Sequence, residues 1–139
     1  MKANTISEIM TKEVISVTPE QKLLDVKHIY EKENFHHHIP VVNNNQLVGM
    51  ISLADFMYSI NGAGLDDDDM IYTEKQVQDI MMPNVKCVDI NATIDDVAET
   101  LTKVRFRALP VVENKQLVGI VTTADIIRHY LTKQKQPLH

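Results

Sequence analysis

The sequence predicts an α+β fold made from two copies of one strand-helix-strand-strand-helix unit. Three observations carry this: a ten-residue phrase that occurs twice, apolar spacing that switches between helical and extended periods within each copy, and a glycine- and aspartate-rich stretch between the copies. Gln46-Leu47-Val48-Gly49-Met50-Ile51-Ser52-Leu53-Ala54-Asp55 aligns with Gln116-Leu117-Val118-Gly119-Ile120-Val121-Thr122-Thr123-Ala124-Asp125, with six of ten positions identical. Pro40-Val41-Val42 matches Pro110-Val111-Val112. Further upstream, Ile9-Met10 matches Ile80-Met81, Val14 matches Val85 and Asp25-Val26 matches Asp96-Val97, at an offset one residue longer. One residue has therefore been gained or lost near the end of the first helix. A unit of roughly 55 residues is too short to bury a large core alone, so the copies are expected to pack on each other as one domain.

The elements follow in order. Val14 to Val17, and Val85 to Val88 in the second copy, read as a short strand. Ile94, Val97, Leu101 and Val104 are spaced to fall on one helical face, and Leu23, Val26 and Tyr30 repeat that face in the first copy. Thr93 is placed to cap this helix, with Asp96 three residues on. Two strands come next, Ile39 to Val42 and Leu47 to Ser52, joined by the polar turn Asn43-Asn44-Asn45-Gln46. Their counterparts are Leu109 to Val112 and Leu117 to Thr122, joined by Glu113-Asn114-Lys115-Gln116. A second helix follows, from Leu53 to Ile60 and from Thr123 to Leu131.

Between the copies, Asn61-Gly62-Ala63-Gly64-Leu65-Asp66-Asp67-Asp68-Asp69 reads as a solvated linker. Its four aspartates lack the alternating ligands and the glycine of an EF-hand loop, so no metal site is expected. The chain thus divides into a first motif over 1–60, a linker over 61–76, a second motif over 77–132 and a flexible tail over 133–139.

Composition narrows the function classes. The 139 residues are 44% apolar and 24% charged, which fits a globular domain. A net charge of −5 gives no long-range attraction to nucleic acid, whose binding rests largely on phosphate neutralisation. The single cysteine, Cys87, cannot form an internal disulfide and reads as a small strand residue. No apolar run is long enough to span a bilayer, and Met1 to Met10 lacks a signal-peptide core. The expectation is a cytoplasmic protein with no membrane or nucleic-acid partner.

The chemistry concentrates where each third strand meets its helix. Ser52 and Thr122 are followed three positions later by Asp55 and Asp125. One reading is helix capping, with the hydroxyl at the N-cap and the carboxylate near the positive end of the helix dipole. A capping box prefers the longer Glu or Gln at that third position, yet both copies carry Asp. The other reading is ligand binding. A carboxylate on a first helical turn can accept both hydroxyls of a ribose, and the neighbouring hydroxyl and N–H groups can meet a phosphate. The two readings are compatible.

The order Ile9-Met10-Thr11, His38-Ile39-Pro40-Val41-Val42 and Gly49 through Asp55 resembles the CBS domain, named after cystathionine beta-synthase. It returns as Ile80-Met81-Met82-Pro83, Ala108-Leu109-Pro110-Val111-Val112 and Gly119 through Asp125, so the resemblance is to a tandem pair covering about residues 6 to 132. It implies two motifs packed pseudo-symmetrically through their sheets, two clefts for AMP, ADP, ATP, S-adenosylmethionine or a similar adenosine ligand, and a disc-shaped homodimer. It places Asp55 and Asp125 on the ribose, Ser52 and Thr122 beside them, and Met50 and Ile120 against the adenine. The residues before each Pro-Val-Val would then lie near phosphates. Arg107 fits that role through its guanidinium fork. Of His36, His37 and His38, neighbours on an extended segment point to opposite sides. His37 or His38 is the phosphate candidate, solvated or packed histidines are the alternative, and a transition-metal site is a third reading.

No metalloprotease, P-loop or nucleophile-elbow motif is present in the sequence. The expectation is a non-enzymatic regulatory module without a catalytic cofactor, acting on a separate partner protein. The alternative is a structural dimerisation module with no ligand.

Overall fold

The computed structural model describes residues 4–32, 37–104 and 107–134. The chain divides into two compact units. One is Ile15–Val85, and the other joins the residues up to Val14 with those from Lys86 onward.

In the first unit, α1 (Leu23–Tyr30) turns Leu23 and Val26 inward. An antiparallel hairpin follows, β1 (His38–Asn43) with β2 (Gln46–Ser52). Its two turn residues, Asn44 and Asn45, have φ of 51° and 65°, the left-handed pair that a two-residue hairpin turn requires and that asparagine tolerates. The helix α2 (Leu53–Ile60) then buries Phe56 and Ile60, one turn apart. The Phe56 ring centroid lies 5.4 Å from that of Tyr30 and 6.4 Å from that of Tyr72. Val17, Ile39, Val41 and Ile51 complete this core.

Short elements close the unit: α3 (Met70–Glu74), α4 (Val77–Ile80) and β3 (Met82–Pro83). The solvated linker expected over 61–76 therefore differs in its second half. Tyr72 is fully buried and donates to the Gly64 carbonyl at 2.7 Å. Asp67 accepts from the buried Lys27 ammonium and meets His28 of α1. Asp69 caps α3, and Asp66 accepts the Asp68 N–H in a tight turn. An aromatic side chain worth burying and a cation in reach fold the segment back onto α1. Hydrogen bonds from Lys27 to Asp67 and Glu31 hold its ammonium well above the ordinary lysine range, and Lys27 and His28 together pull Asp67 down.

The second unit repeats the plan with β4 (Val88–Asp89), α5 (Ile94–Leu101), the hairpin β5 (Ala108–Glu113) with β6 (Gln116–Thr122), and α6 (Thr123–Gln134). Its core gathers Ile94, Val97, Leu109, Val111, Val121 and Ile126. Thr93 caps α5 by accepting the Asp96 N–H at 3.1 Å, as its sequence position predicts. Three expectations need correction. The opening strands shrink to a single bridge from Val17 to Val41 and to the two residues of β4, so Cys87 precedes the strand. The apolar spacing continues to Val104, but α5 ends at Leu101, and Val104 packs on the core from beyond the helix. The last helix runs past Leu131 and takes Lys133 and Gln134 out of the expected tail, whose residues 135–139 lie outside the described ones. No helix among the described residues is long and apolar enough to cross a membrane.

Each unit borrows its opening segment from the other repeat. Ile6, from the start of the chain, is wholly buried in the second core, and its N–H donates to the Ala92 carbonyl at 2.8 Å. Val77 occupies the matching place in the first unit and donates to Gln21 at the same distance. The first N–H groups of α1 and α5 are satisfied from these segments too, Leu23 from Lys75 and Ile94 from Asn4. Thr11 then bridges Ile120 of β6, as β3 pairs with β2 through Met82 and Met50.

This crossing explains the glycine in each third strand. A Cβ on Gly119 would sit 2.5 Å from Met10 Sδ and 3.0 Å from the Thr11 carbonyl oxygen, and on Gly49 it would sit 2.7 Å from Met81 Sδ and 2.9 Å from the Met82 oxygen. A thioether can swing aside, but a paired backbone oxygen cannot. Gly119→Ala or Gly49→Ala should each lower unfolding free energy by about 1–3 kcal/mol in urea titrations. In the β5–β6 turn, by contrast, Lys115 holds a φ of 70° that suits glycine better. Lys115→Gly should therefore raise stability by about 0.5–1 kcal/mol in the same assay.

Candidate functional site

The site begins where β2 and β6 end. Ser52 keeps extended backbone angles, so the chain turns sharply into α2 and its Oγ accepts the Asp55 N–H at 3.0 Å. The Ser52 N–H in turn reaches Asp55 Oδ2 at 3.4 Å. In the second repeat Thr122 Oγ1 accepts the Asp125 N–H at 3.2 Å, and the Thr122 N–H donates to Asp125 Oδ2 at 2.9 Å. Both helix starts are thus closed capping boxes in which the shorter Asp does the work usually given to Glu. In each, the box engages only one of the two carboxylate oxygens.

The basic candidates sit at the same helix starts through their backbones. The Leu53 N–H donates to the His37 carbonyl at 2.7 Å, and the Thr123 N–H donates to the Arg107 carbonyl at 2.9 Å. His37 and Arg107 are therefore structural equivalents, although one is an imidazole and the other a guanidinium. Tyr30 adds a hydroxyl that donates to the His37 carbonyl at 3.3 Å.

Two cavities open beside these helices. One of about 440 Å³ is lined by His37, His38, Ser52, Leu53, Ala54 and Met57. It falls within the roughly 300–1,000 Å³ usual for small-ligand sites. The other, about 280 Å³, lies along α6 and is lined by Ile9, Asp125, Arg128, His129 and Thr132.

The structure thus brings His37, His38 and Ser52 to one cavity and Asp125 to the other. Asp55 lies beside the first without lining it, joined to it through Ser52. Thr122 is likewise tied to Asp125 through the cap, while the exposed Arg107 is held to the helix start by its carbonyl. Met50 has no exposed surface, and Ile120 is nearly buried. His36 lies outside the described residues.

Residues the sequence reading missed are Arg128, His129 and Tyr30. Positions 125, 128, 129 and 132 fall on one helical face, so the stripe could have been read from spacing alone. The approach of Tyr30 to His37 is a tertiary contact with no local signal.

Electrostatics differ between the two places. Burial lowers the pKa of His38 first, the neighbouring His37 lowers it further, and Asp55 pulls the other way. Burial and the Asp55 charge push the Tyr30 hydroxyl well above the ordinary tyrosine range. In the second unit Arg128 Nη1 donates to Asp125 Oδ1 at 3.1 Å. Among the described residues, His28, Glu31 and Asp67 also bring ligand atoms together, but the Lys27 ammonium already bridges the two carboxylates.

Fold and site together define a duplicated module with one capped helix start and one flanking basic residue per repeat. The chain belongs to the CBS domain family, whose model matches residues 6–62 and 77–132. An uncharacterized protein of Methanocaldococcus jannaschii is 33% identical over 92% of the chain, which spans only 44% of that relative's length. The structure of CBSX2 in complex with AMP superposes with a TM-score of 0.78 at 25% identity, covering 96% of this chain and all of that one. The CBS domain pair of protein MJ0100, in complex with 5′-methylthioadenosine and S-adenosyl-L-methionine, gives a TM-score of 0.77 at 27% identity, covering 93% and 97% of the two chains.

His38 makes the stability of the fold depend on pH. Its folded-state pKa lies below the unfolded value near 6.5, so the unfolded chain binds the proton more readily. The stability this contributes is present above that unfolded pKa and is lost as pH falls through the folded one. Melting temperature should drop between pH 7.5 and pH 5.5, and the drop should be smaller in His38→Gln. Equal slopes for the two proteins would contradict this.

Proposed function

We propose that this chain is a regulatory module that binds an adenosine ligand of the AMP, ADP or ATP type and acts on a separate partner protein. The observation that carries the reading is the duplicated helix start, where the capping box leaves one oxygen of Asp55 and one of Asp125 outside the cap. In this reading those carboxylates accept the ribose hydroxyls. Ser52 and Thr122, with their helix N–H groups, lie toward the phosphates, joined by His37 or His38 in the first repeat and Arg107 in the second. Met50 and Ile120 are assigned to the apolar side of the adenine in this reading, although Met50 has no exposed surface. The adenosine ligands carried by CBSX2 and MJ0100 support the ligand class. The module works without catalysis of its own, in the cytoplasm, as a homodimer.

A second reading is a dimerisation scaffold with no ligand. The closed capping boxes favour it, because they give Ser52, Thr122 and both aspartates a purely structural use.

Thermal unfolding with AMP, ADP, ATP, NAD and S-adenosylmethionine separates the two. A ligand at 100 times its Kd should stabilise the fold by about 2.7 kcal/mol. Asn in place of Asp keeps an oxygen for the cap but offers the ribose an N–H donor where an acceptor is needed. The Asp55→Asn, Asp125→Asn double variant should therefore fold and lose the ligand response. No shift with any of the five ligands would leave the scaffold reading standing.

A further inference from the structure

The two helix starts are alike in their caps and unlike one turn further on. Position 128 of α6 is arginine, and its equivalent in α2 is Tyr58, which is 86% exposed. Position 129 is histidine, where α2 has Ser59. Arg128 lines the α6 cavity with His129 and donates to Asp125 Oδ1, the oxygen outside the capping box. Asp125 is 17% exposed in its side chain and Arg128 is 71% exposed, so the carboxylate is held while the guanidinium reaches over it from solvent. Asp55 has no arginine or lysine pairing with it among the described residues.

We propose that Arg128 is a latch on Asp125 that makes the second repeat select phosphorylated adenosine ligands over unphosphorylated ones. The inference rests on the ribose reading of Asp125. A ribose that seats on Asp125 meets a guanidinium already on the same oxygen and must share or displace it. A neutral nucleoside displaces the arginine and offers it nothing in return. A ligand with a phosphate gives the displaced fork a new anionic partner, and guanidinium matches phosphate oxygens at least as well as a single carboxylate oxygen. An exposed i,i+3 ion pair is weak enough to open readily, and the long flexible side chain can swing while its Cα stays in the helix. The first repeat has Tyr58 at this position and carries no such latch.

The test compares adenosine with AMP by calorimetry, in the Asp55→Asn background so that only the second repeat is read. Arg128 is replaced by Tyr, the residue of the first repeat, and separately by Lys. In Arg128→Tyr, adenosine should bind more tightly and AMP more weakly, so that the ratio of their Kd values falls by roughly tenfold. Arg128→Lys, which keeps the charge and loses the fork, should fall between. A ratio within twofold of the parent, or equal weakening of both ligands, overturns the latch and leaves the ribose reading intact. Binding to the wild-type chain but not to the Asp55→Asn chain also overturns it, because the second repeat then takes no ligand. If neither compound binds the wild-type chain, the ribose reading fails, and the latch fails with it.

Discussion

The close crossing of a borrowed backbone segment over the glycine of each third strand constrains everything built on it. Thr11 exchanges both of its backbone hydrogen bonds with Ile120, at 2.9 and 3.0 Å, while Met10 lies over Gly119. Met82 and Pro83 cover Met50 and Gly49 in the same way. That strand then runs directly into the helix start carrying the hydroxyl and the carboxylate, so the crossing sets where both side chains stand. The same exchange buries Ile6 and Val77, whose side chains contribute on the order of 1.5–3 kcal/mol each by leaving water. It also supplies an acceptor for the first N–H of α1 and of α5.

In the proposed reading, one carboxylate serves two ends at each helix start. Asp55 and Asp125 each close a capping box with one oxygen, which orders the first helical turn and fixes the carboxylate. A carboxylate held in this way has lost its rotamer freedom before any ligand arrives, so less entropy remains to be lost on binding. Capping and the proposed ribose contact are therefore successive uses of one geometry. The choice of Asp over the longer Glu fits this, because a shorter side chain stays at the mouth of the turn.

The repeats also diverge in what surrounds that shared geometry. His37 and Arg107 present their carbonyls to the equivalent helical N–H but bring different side chains, one an imidazole and the other a guanidinium fork. Burial keeps His38 biased toward its neutral form, while its counterpart Ala108 has no charge at all. Arg128 and His129 stand where Tyr58 and Ser59 stand in the first repeat. Two copies that share a scaffold thus have different electrostatic surroundings at their equivalent helix starts.

The duplication, the strand-helix-strand-strand-helix order, the hairpin turns and the hydroxyl-to-carboxylate spacing were all legible in the sequence. Each is local or periodic: an apolar face recurs every three or four residues, an Asn pair tolerates positive φ, and a cap needs partners three positions apart. Tertiary structure decided the rest. No local pattern says that Ile6 belongs to the second core, that the buried Lys27 pairs with the exposed Asp67, or that the Val14 to Val17 segment pairs at one residue only. Nor does any local pattern show that Met50 is wholly buried. Those outcomes depend on which distant segment fills each space, and burial and ion pairing between remote residues are settled only when the chain closes on itself.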